Sequence, residues 1–254
     1  MPRKKKEDSD SFKVGTLKDI PKEESISTGI EEVDLMLGGG FPRGRITQVY
    51  GLPGVGKSYL LGRCMAALPG KILYIDTEFS LNQSRLEKMG VKLDKIDYIA
   101  SSELEKIAEY VLDHVSDYDL IVIDTLAKLT PMVIATNTVG ENAIGLVARQ
   151  IGRFEAKLRP LIFESRTAVV GINQVRANFG MSPVQTTAFG GWAWEHTLDL
   201  NLRLTKGAAN AIIKQVDGEK SQIGHWATVK AEKNRMGPSG LTTKFKVSYI
   251  EEEK

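Results

Sequence analysis

Gly51-Leu52-Pro53-Gly54-Val55-Gly56-Lys57-Ser58 decides the fold. The stretch fits G-x-x-x-x-G-K-[ST], and the chemistry of a bound triphosphate explains each residue type. Glycines let the chain wrap so that main-chain N–H groups face phosphate oxygens. A helix opening near Lys57 adds its positive end. Lys57 has the reach to meet β and γ phosphates, and the Ser58 hydroxyl suits magnesium. The flanks agree with this reading: Ile46–Tyr50 reads as a strand, and Ser58–Ala67 as the helix that follows it. The implied ligands are ATP and Mg2+, held by Gly51, Leu52, Pro53, Gly54, Val55, Gly56, Lys57, Ser58 and Tyr59.

Outward from this loop, buried strands alternate with helices. Ile72–Ile75, Leu120–Ile123 and Ala168–Ile172 are apolar runs of strand length. Leu104, Ile107, Ala108, Val111, Leu112 and Val115 share one helical face. Ile144 through Leu161 repeats at three and four, a long amphipathic helix that Pro160 should kink or end. Ser27-Thr28-Gly29 opens an earlier short helix, with Ser27 or Thr28 as its cap and Gly38-Gly39-Gly40 as its stop. Toward the C-terminus the helices cease. Leu198, Leu200, Leu202 and Leu204 alternate with polar residues, Asp217-Gly218 marks a hairpin turn, and Trp226–Glu232 and Phe245–Tyr249 read as strands. The expected fold is α/β: a mostly parallel twisted sheet flanked by helices and finished by antiparallel strands.

In such a sheet the carboxyl ends of the strands share one crevice. Asp124, ending Leu120–Ile123, is placed to hold magnesium beside Ser58. Asp76 and Glu78, after Ile72–Ile75, compete for the role of positioning or activating water, and spacing alone does not separate them.

Composition narrows the class. Lysine plus arginine number 34 against 32 acids, a net charge of +2, and Arg3-Lys4-Lys5-Lys6 carries the excess. A nucleic-acid case therefore rests on local sites and not on overall charge. One cysteine, Cys64, excludes a disulfide framework and a cysteine metal site, and suits a reducing compartment. Neither a secretory signal nor a bilayer-spanning apolar run is present in the sequence, so a cytoplasmic protein without membrane contact is expected. Residues 1–24 read as a flexible basic tail and 25–254 as one core.

From Ser27 to Tyr249 the chain resembles the RecA/RadA recombinases. Ser27-Thr-Gly-Ile-Glu-Glu-Val-Asp34, Leu37-Gly-Gly-Gly40 and Ile75-Asp-Thr-Glu78 are similar to the archaeal and eukaryotic branch, whereas Thr125 to Pro131 is similar to bacterial RecA. The resemblance implies a RecA-type P-loop core and resolves the tie among the acids: Glu78 activates water. It places Arg85 against adenine, makes Gln174 in Ile172-Asn173-Gln174-Val175-Arg176 the γ-phosphate sensor, and makes residues 175–191 a DNA-binding loop. Arg176, Asn178, Phe179, Gly190 and Gly191 are that loop's implied contacts. The position of the first DNA loop, Met132–Glu141, contains no lysine or arginine. His196 resembles a histidine that approaches a neighbouring subunit's nucleotide, and Lys233 and Arg235 resemble cations acting on the γ phosphate across a subunit interface. Phe12-Lys-Val-Gly15 resembles the F-x-x-A/G element that docks on an adjacent protomer, implicating Phe12 and Gly15 in assembly.

The chain is similar to core-only members such as RadB and the phage single-strand annealing recombinases. The implied function is an ATP-dependent, single-stranded DNA-binding recombinase that polymerises as a filament or ring. A single-strand binding protein or another recombinase is a further implied partner. Two alternatives stand beside it: a recombination mediator with weak ATPase activity, and a KaiC-like signalling ATPase, whose opening segment resembles residues 27–44.

Overall fold

The computed structural model describes residues 15–132, 143–177, 186–188, 196–207, 210–216 and 219–249. Strands β1 (Ser25–Ile26) and β2 (Phe41–Pro42) pair antiparallel around helix α1 (Glu31–Leu37). The main sheet takes β3 (Ile46–Gly51), β4 (Ile72–Asp76), β5 (Ile96–Ala100), β6 (Leu120–Asp124) and β7 (Ala168–Asn173). It continues with β10 (Leu200–Thr205), β11 (Ala211–Val216), β12 (Glu219–Asn234) and β13 (Thr242–Ser248). Between β7 and β10, β8 (Val175–Ala177) and β9 (Thr186–Ala188) form a separate two-stranded ladder. The order across the main sheet is β11-β12-β10-β3-β7-β6-β4-β5, with β13 also paired to β12. From β10 to β5 every pairing is parallel, and β11, β12 and β13 run antiparallel. The expected architecture is thus the observed one.

Two apolar layers fix this sheet. Helices α1 and α2 (Lys57–Ala67) bury Val33, Leu60, Leu61 and Cys64 against Val49, Val170, Leu202 and Phe245. On the other face, α4 (Leu104–His114) and α5 (Ala143–Ser165) bury Ile107, Val111, Leu158 and Ile162 against Leu73, Ile121 and Val169. Central strands buried on both faces read as unbroken apolar runs, which is why Leu120–Ile123 was legible without alternation. None of the described helices is long and apolar enough to cross a membrane.

Three expectations change. Helix α5 runs through Pro160 to Ser165 and does not end there. Of the two outcomes expected, a kink or an end, the end does not occur: Leu158 and Ile162, at 2% and 0% exposure, are buried on either side of the proline. Neither Ser27 nor Thr28 caps α1, whose N-cap is Ile30. Their hydroxyls instead donate to Asp34, three residues into the helix, at 2.6 Å each. Strand β5 at the sheet edge was not anticipated, because Ile96-Asp-Tyr-Ile99 is too mixed and too exposed to signal a buried run.

Candidate functional site at the carboxyl edge of the sheet

The phosphate loop joins the central strand β3 to α2. Three of its glycines are structurally required, Gly51 because an added Cβ would lie 2.4 Å from the Leu204 carbonyl oxygen. Gly56 is the N-cap of α2 with φ of 109°, and an added Cβ there would lie 2.8 Å from Val247. Gly54 has φ of 73° and open space around it, as the turn of the loop demands. Leu52, Pro53 and Gly54 are exposed, Val55 is buried, and Ser58 is exposed on the first turn of α2 with half-buried Tyr59 beside it. The Lys57 ammonium curls back over the loop, donating to the carbonyls of Gly51 at 2.8 Å and Leu52 at 3.0 Å. Burial pulls the Lys57 ammonium below the usual lysine range, opposed by the charges of Asp124 and Glu78. Those two carboxylates therefore face the same crevice as the lysine.

Asp124 ends β6 directly beside Asp76 at the end of β4. Its carboxylate accepts from the Tyr74 hydroxyl at 2.7 Å. Burial first, then the nearby charges of Glu78 and Asp76, push the Asp124 carboxyl above its ordinary range. Ser58 and Asp124 supply hard oxygen donors, the chemistry that magnesium prefers. Thr125 and Thr77 tie the strand ends together. Thr77 donates to the Thr125 carbonyl and accepts from the Thr125 N–H, both at 2.8 Å, while the Thr125 hydroxyl donates to Ile172 O at 2.8 Å.

The two acids left undivided by spacing have different surroundings. Asp76 is 1% exposed and accepts from the N–H groups of Glu78, Ser80 and Leu81 and from the Tyr98 hydroxyl. Its oxygens are occupied in shaping the turn after β4. Glu78 projects past that turn, half-buried, and accepts from the Gln174 side chain at 2.7 Å. Of the two acids, Glu78 is thus the one not engaged in shaping the turn, and its partner Gln174 directly precedes the β8–β9 ladder.

That ladder pairs Val175 with Ala188, Arg176 with Thr187 and Ala177 with Thr186. The segment read as a loop therefore has a stranded stem, to which Val175, Thr186 and Thr187 contribute β-branched residues. The Arg176 side chain, and Asn178, Phe179, Gly190, Gly191 and Phe12, lie outside the described residues. Gly15 lies at the first described position, close to Asp19. Arg85 is exposed on the short helix α3 (Gln83–Lys88).

His196, Lys233 and Arg235 do come together, at the other end of the sheet. The Lys233 ammonium and the Arg235 guanidinium each donate to the His196 carbonyl at 3.1 Å, and Arg235 also meets Asp199 at 3.3 Å. The Arg235 N–H bonds Asp199 O, and Asp199 lies level with Ile46, the first residue of β3. Gly51 is five residues further along β3, roughly 16 Å at strand spacing. The cations are accordingly remote from the phosphate loop of their own chain.

Two contributors were invisible in the sequence. Tyr74 anchors Asp124, but a tyrosine inside an apolar strand reads simply as core. His225 on β12 is 2% exposed and lies 3.3 Å from the Val55 carbonyl through Nε2 and 2.8 Å from the Tyr249 hydroxyl through Nδ1. A carbonyl only accepts, so Nε2 carries the proton and Tyr249 donates to Nδ1 in the neutral ring. Burial lowers the pKa of this imidazole, in keeping with that state. Only the antiparallel return of β12 brings it under the loop, and no local spacing signals that.

The family model for the RecA N-terminal domain matches residues 5–252. Protein RecA of Legionella pneumophila is 32% identical over 237 residues, covering 90% of this chain and 66% of the relative. Protein RecA of Campylobacter jejuni subsp. doylei is 30% identical over 244 residues, with 92% and 69% covered. That of Campylobacter lari is 31% identical over 245 residues, again with 92% and 69% covered. The chain thus spans about two thirds of the length of the curated relatives it matches. With a family model covering nearly its whole length and a phosphate loop, paired acids and strand-end glutamine converging on one crevice, this chain belongs to the RecA family.

Proposed function

We propose that this chain is an ATP-dependent recombinase that assembles head to tail on single-stranded DNA and promotes strand annealing or exchange. ATP is bound at the phosphate loop and hydrolysed at the contact between protomers. The observation that carries this reading is the Glu78–Gln174 hydrogen bond. It joins the acid at the nucleotide crevice to the residue from which the β8–β9 hairpin springs.

The parts take the following roles. Main-chain groups of Gly51 to Gly56 and the Lys57 ammonium grip the phosphates, and Tyr59 borders them. Lys57 leaves the Gly51 and Leu52 carbonyls to do so, exchanging two neutral acceptors for charged ones. Ser58 and Asp124 would hold magnesium, which supplies charge neutralisation for the phosphoryl oxygens. Glu78 orients and deprotonates the attacking water. Gln174 trades its bond with Glu78 for one with the γ phosphate, and that exchange frees the acid and moves the hairpin. Arg176 and the residues beyond it then meet the DNA backbone and bases. Arg85 and His196 border nucleotide, the latter from the adjacent protomer.

The position of Lys233 and Arg235 supports assembly. Because they sit some 16 Å from their own phosphate loop, catalytic use of them requires a second chain. In that arrangement they stabilise the charge of the transferring phosphoryl group, as arginine fingers do. Phe12 and Gly15 extend the contact by strand addition.

Electron microscopy with single-stranded DNA, magnesium and a non-hydrolysable ATP analogue tests the reading. Regular filaments are expected, and monomers would overturn it. The mediator alternative predicts DNA binding without appreciable ATP turnover, so a turnover assay in the same buffer separates the two.

A further inference from the structure

A line of buried amides crosses the sheet beneath the phosphate loop, on the face covered by α4 and α5. Gln48 Nε2 donates to Asn201 Oδ1 at 3.0 Å, and Asn173 Nδ2 donates to Gln48 Oε1 at 2.9 Å. The Gln174 N–H donates to Asn173 Oδ1 at 2.9 Å, and the Gln174 side chain donates to Glu78 at 2.7 Å. The three amides come from three adjacent strands, β10, β3 and β7. Gln48 and Asn173 are fully buried and Asn201 is 6% exposed. Amides in such a place are costly unless every link is made, and apolar residues would pack there more simply.

The order of the line is fixed from one end. A main-chain N–H can only donate, so Asn173 must present its oxygen to Gln174. Its nitrogen then faces Gln48 Oε1, and Gln48 Nε2 is left for Asn201. The far end lies beside the remote cations. Asn201 stands opposite Lys233 in the β10–β12 ladder, at a register shift, and Asp199 two residues earlier holds Arg235.

We propose that Gln48 and Asn201 are positioning residues: their amide relay sets Gln174 against Glu78 and ties the Lys233–Arg235 edge of a protomer to the acid at its own nucleotide crevice. This rests on the ATPase reading above. A partner's nucleotide drawing Lys233 and Arg235 off His196 perturbs the β10–β12 ladder. The relay passes that change to Gln174, so that successive protomers hydrolyse ATP in a coupled way.

The test replaces Gln48 by leucine and Asn201 by serine and measures DNA-dependent ATP turnover, KM and melting temperature. Gln48→Leu should lower kcat about tenfold while KM for ATP stays within about twofold, and it should add no further loss in a Gln174→Ala background. Asn201→Ser should show the same split more weakly, and it carries the test if Gln48→Leu does not fold. Unchanged kcat in a folded variant, or losses that multiply with Gln174→Ala, would overturn the relay. The Gln174 side-chain amide resonance gives a readout that needs no turnover: Asn201→Ser should shift it, and an unmoved signal rejects the proposal. A wild-type protein without ATPase activity sinks the functional reading alone, because this resonance still reports on the relay.

Discussion

The two ends of the central sheet carry opposite equipment. At the carboxyl end, the charges of Glu78 and Asp124 act on Lys57, Asp76 lies beside Asp124, and burial pushes the Asp124 carboxyl up and the Lys57 ammonium down. At the amino end, Lys233 and Arg235 rest on a carbonyl and on Asp199, with the Arg235 side chain half-exposed. The acidic end carries the phosphate loop, but carboxylates face the positive charge of its lysine. The basic end has positive charge but no phosphate loop. The difference teaches that the phosphate loop and the Lys233–Arg235 pair lie too far apart to act together within one chain, the separation that the proposed head-to-tail assembly would bridge.

The largest expected effect removes the lysine of the phosphate loop. Lys57→Ala should cut ATP hydrolysis by about a thousandfold, and wild-type turnover in that variant would reject the crevice as the site. Next, Glu78→Gln should lower kcat about a hundredfold while keeping nucleotide affinity, as loss of a general base does. Asp76→Asn makes the contrast sharper. It should lower the melting temperature, because an amide offers one acceptor oxygen where Asp76 now serves four donors. Turnover at a permissive temperature should survive. The reverse pattern for the pair would exchange their roles.

A mixing experiment addresses the basic end. Lys57→Ala chains keep Arg235, and Arg235→Ala chains keep the phosphate loop, so each alone should be inactive. Random co-assembly in equal amounts should restore about a quarter of wild-type turnover, because half the loops are intact and half of those face an intact arginine. No recovery on mixing would confine Arg235 to holding Asp199 within its own chain.

The sequence displayed the acidic end far better than the basic one, and locality explains why. The phosphate loop is eight consecutive residues whose types follow from one ligand. Asp124 follows an unmistakable buried strand. The parallel order of the sheet was legible because buried runs and amphipathic helices alternate. By contrast, spacing alone left Asp76 and Glu78 undivided, and the N–H groups of Ser80 and Leu81 that occupy Asp76 depend on how a turn closes. His225, Tyr74 and the Gln48–Asn201 pair derive their surroundings from residues 50 to 170 positions away in sequence. Such contacts leave no periodic trace. At Pro160 local chemistry argues for a kink or an end, and the end does not occur where Leu158 and Ile162 are buried on either side.

The smallest expected effect concerns Asp124, and its sign is the informative part. Its carboxyl is raised in the folded chain by burial and by Glu78 and Asp76, with Tyr74 and Lys57 opposing. A group whose folded pKa lies above its unfolded one favours folding when protonated, and that contribution fades as pH rises through the folded value. At neutral pH the nucleotide-free protein therefore holds an ionised Asp124 at some cost. Asp124→Asn removes that cost while preserving the Tyr74 contact through its amide oxygen. The variant should melt a few degrees higher than wild type at pH 7, with the gap closing as pH falls into the carboxylate range. Magnesium should reverse the ranking when added with an ATP analogue, since only the carboxylate offers it a charged ligand. A variant that melts lower than wild type without ligand would mean that Asp124 is held by its hydrogen bonds more than it is repelled by its neighbours. The acidic end would then be an ordinary stable cluster and not a site waiting for positive charge.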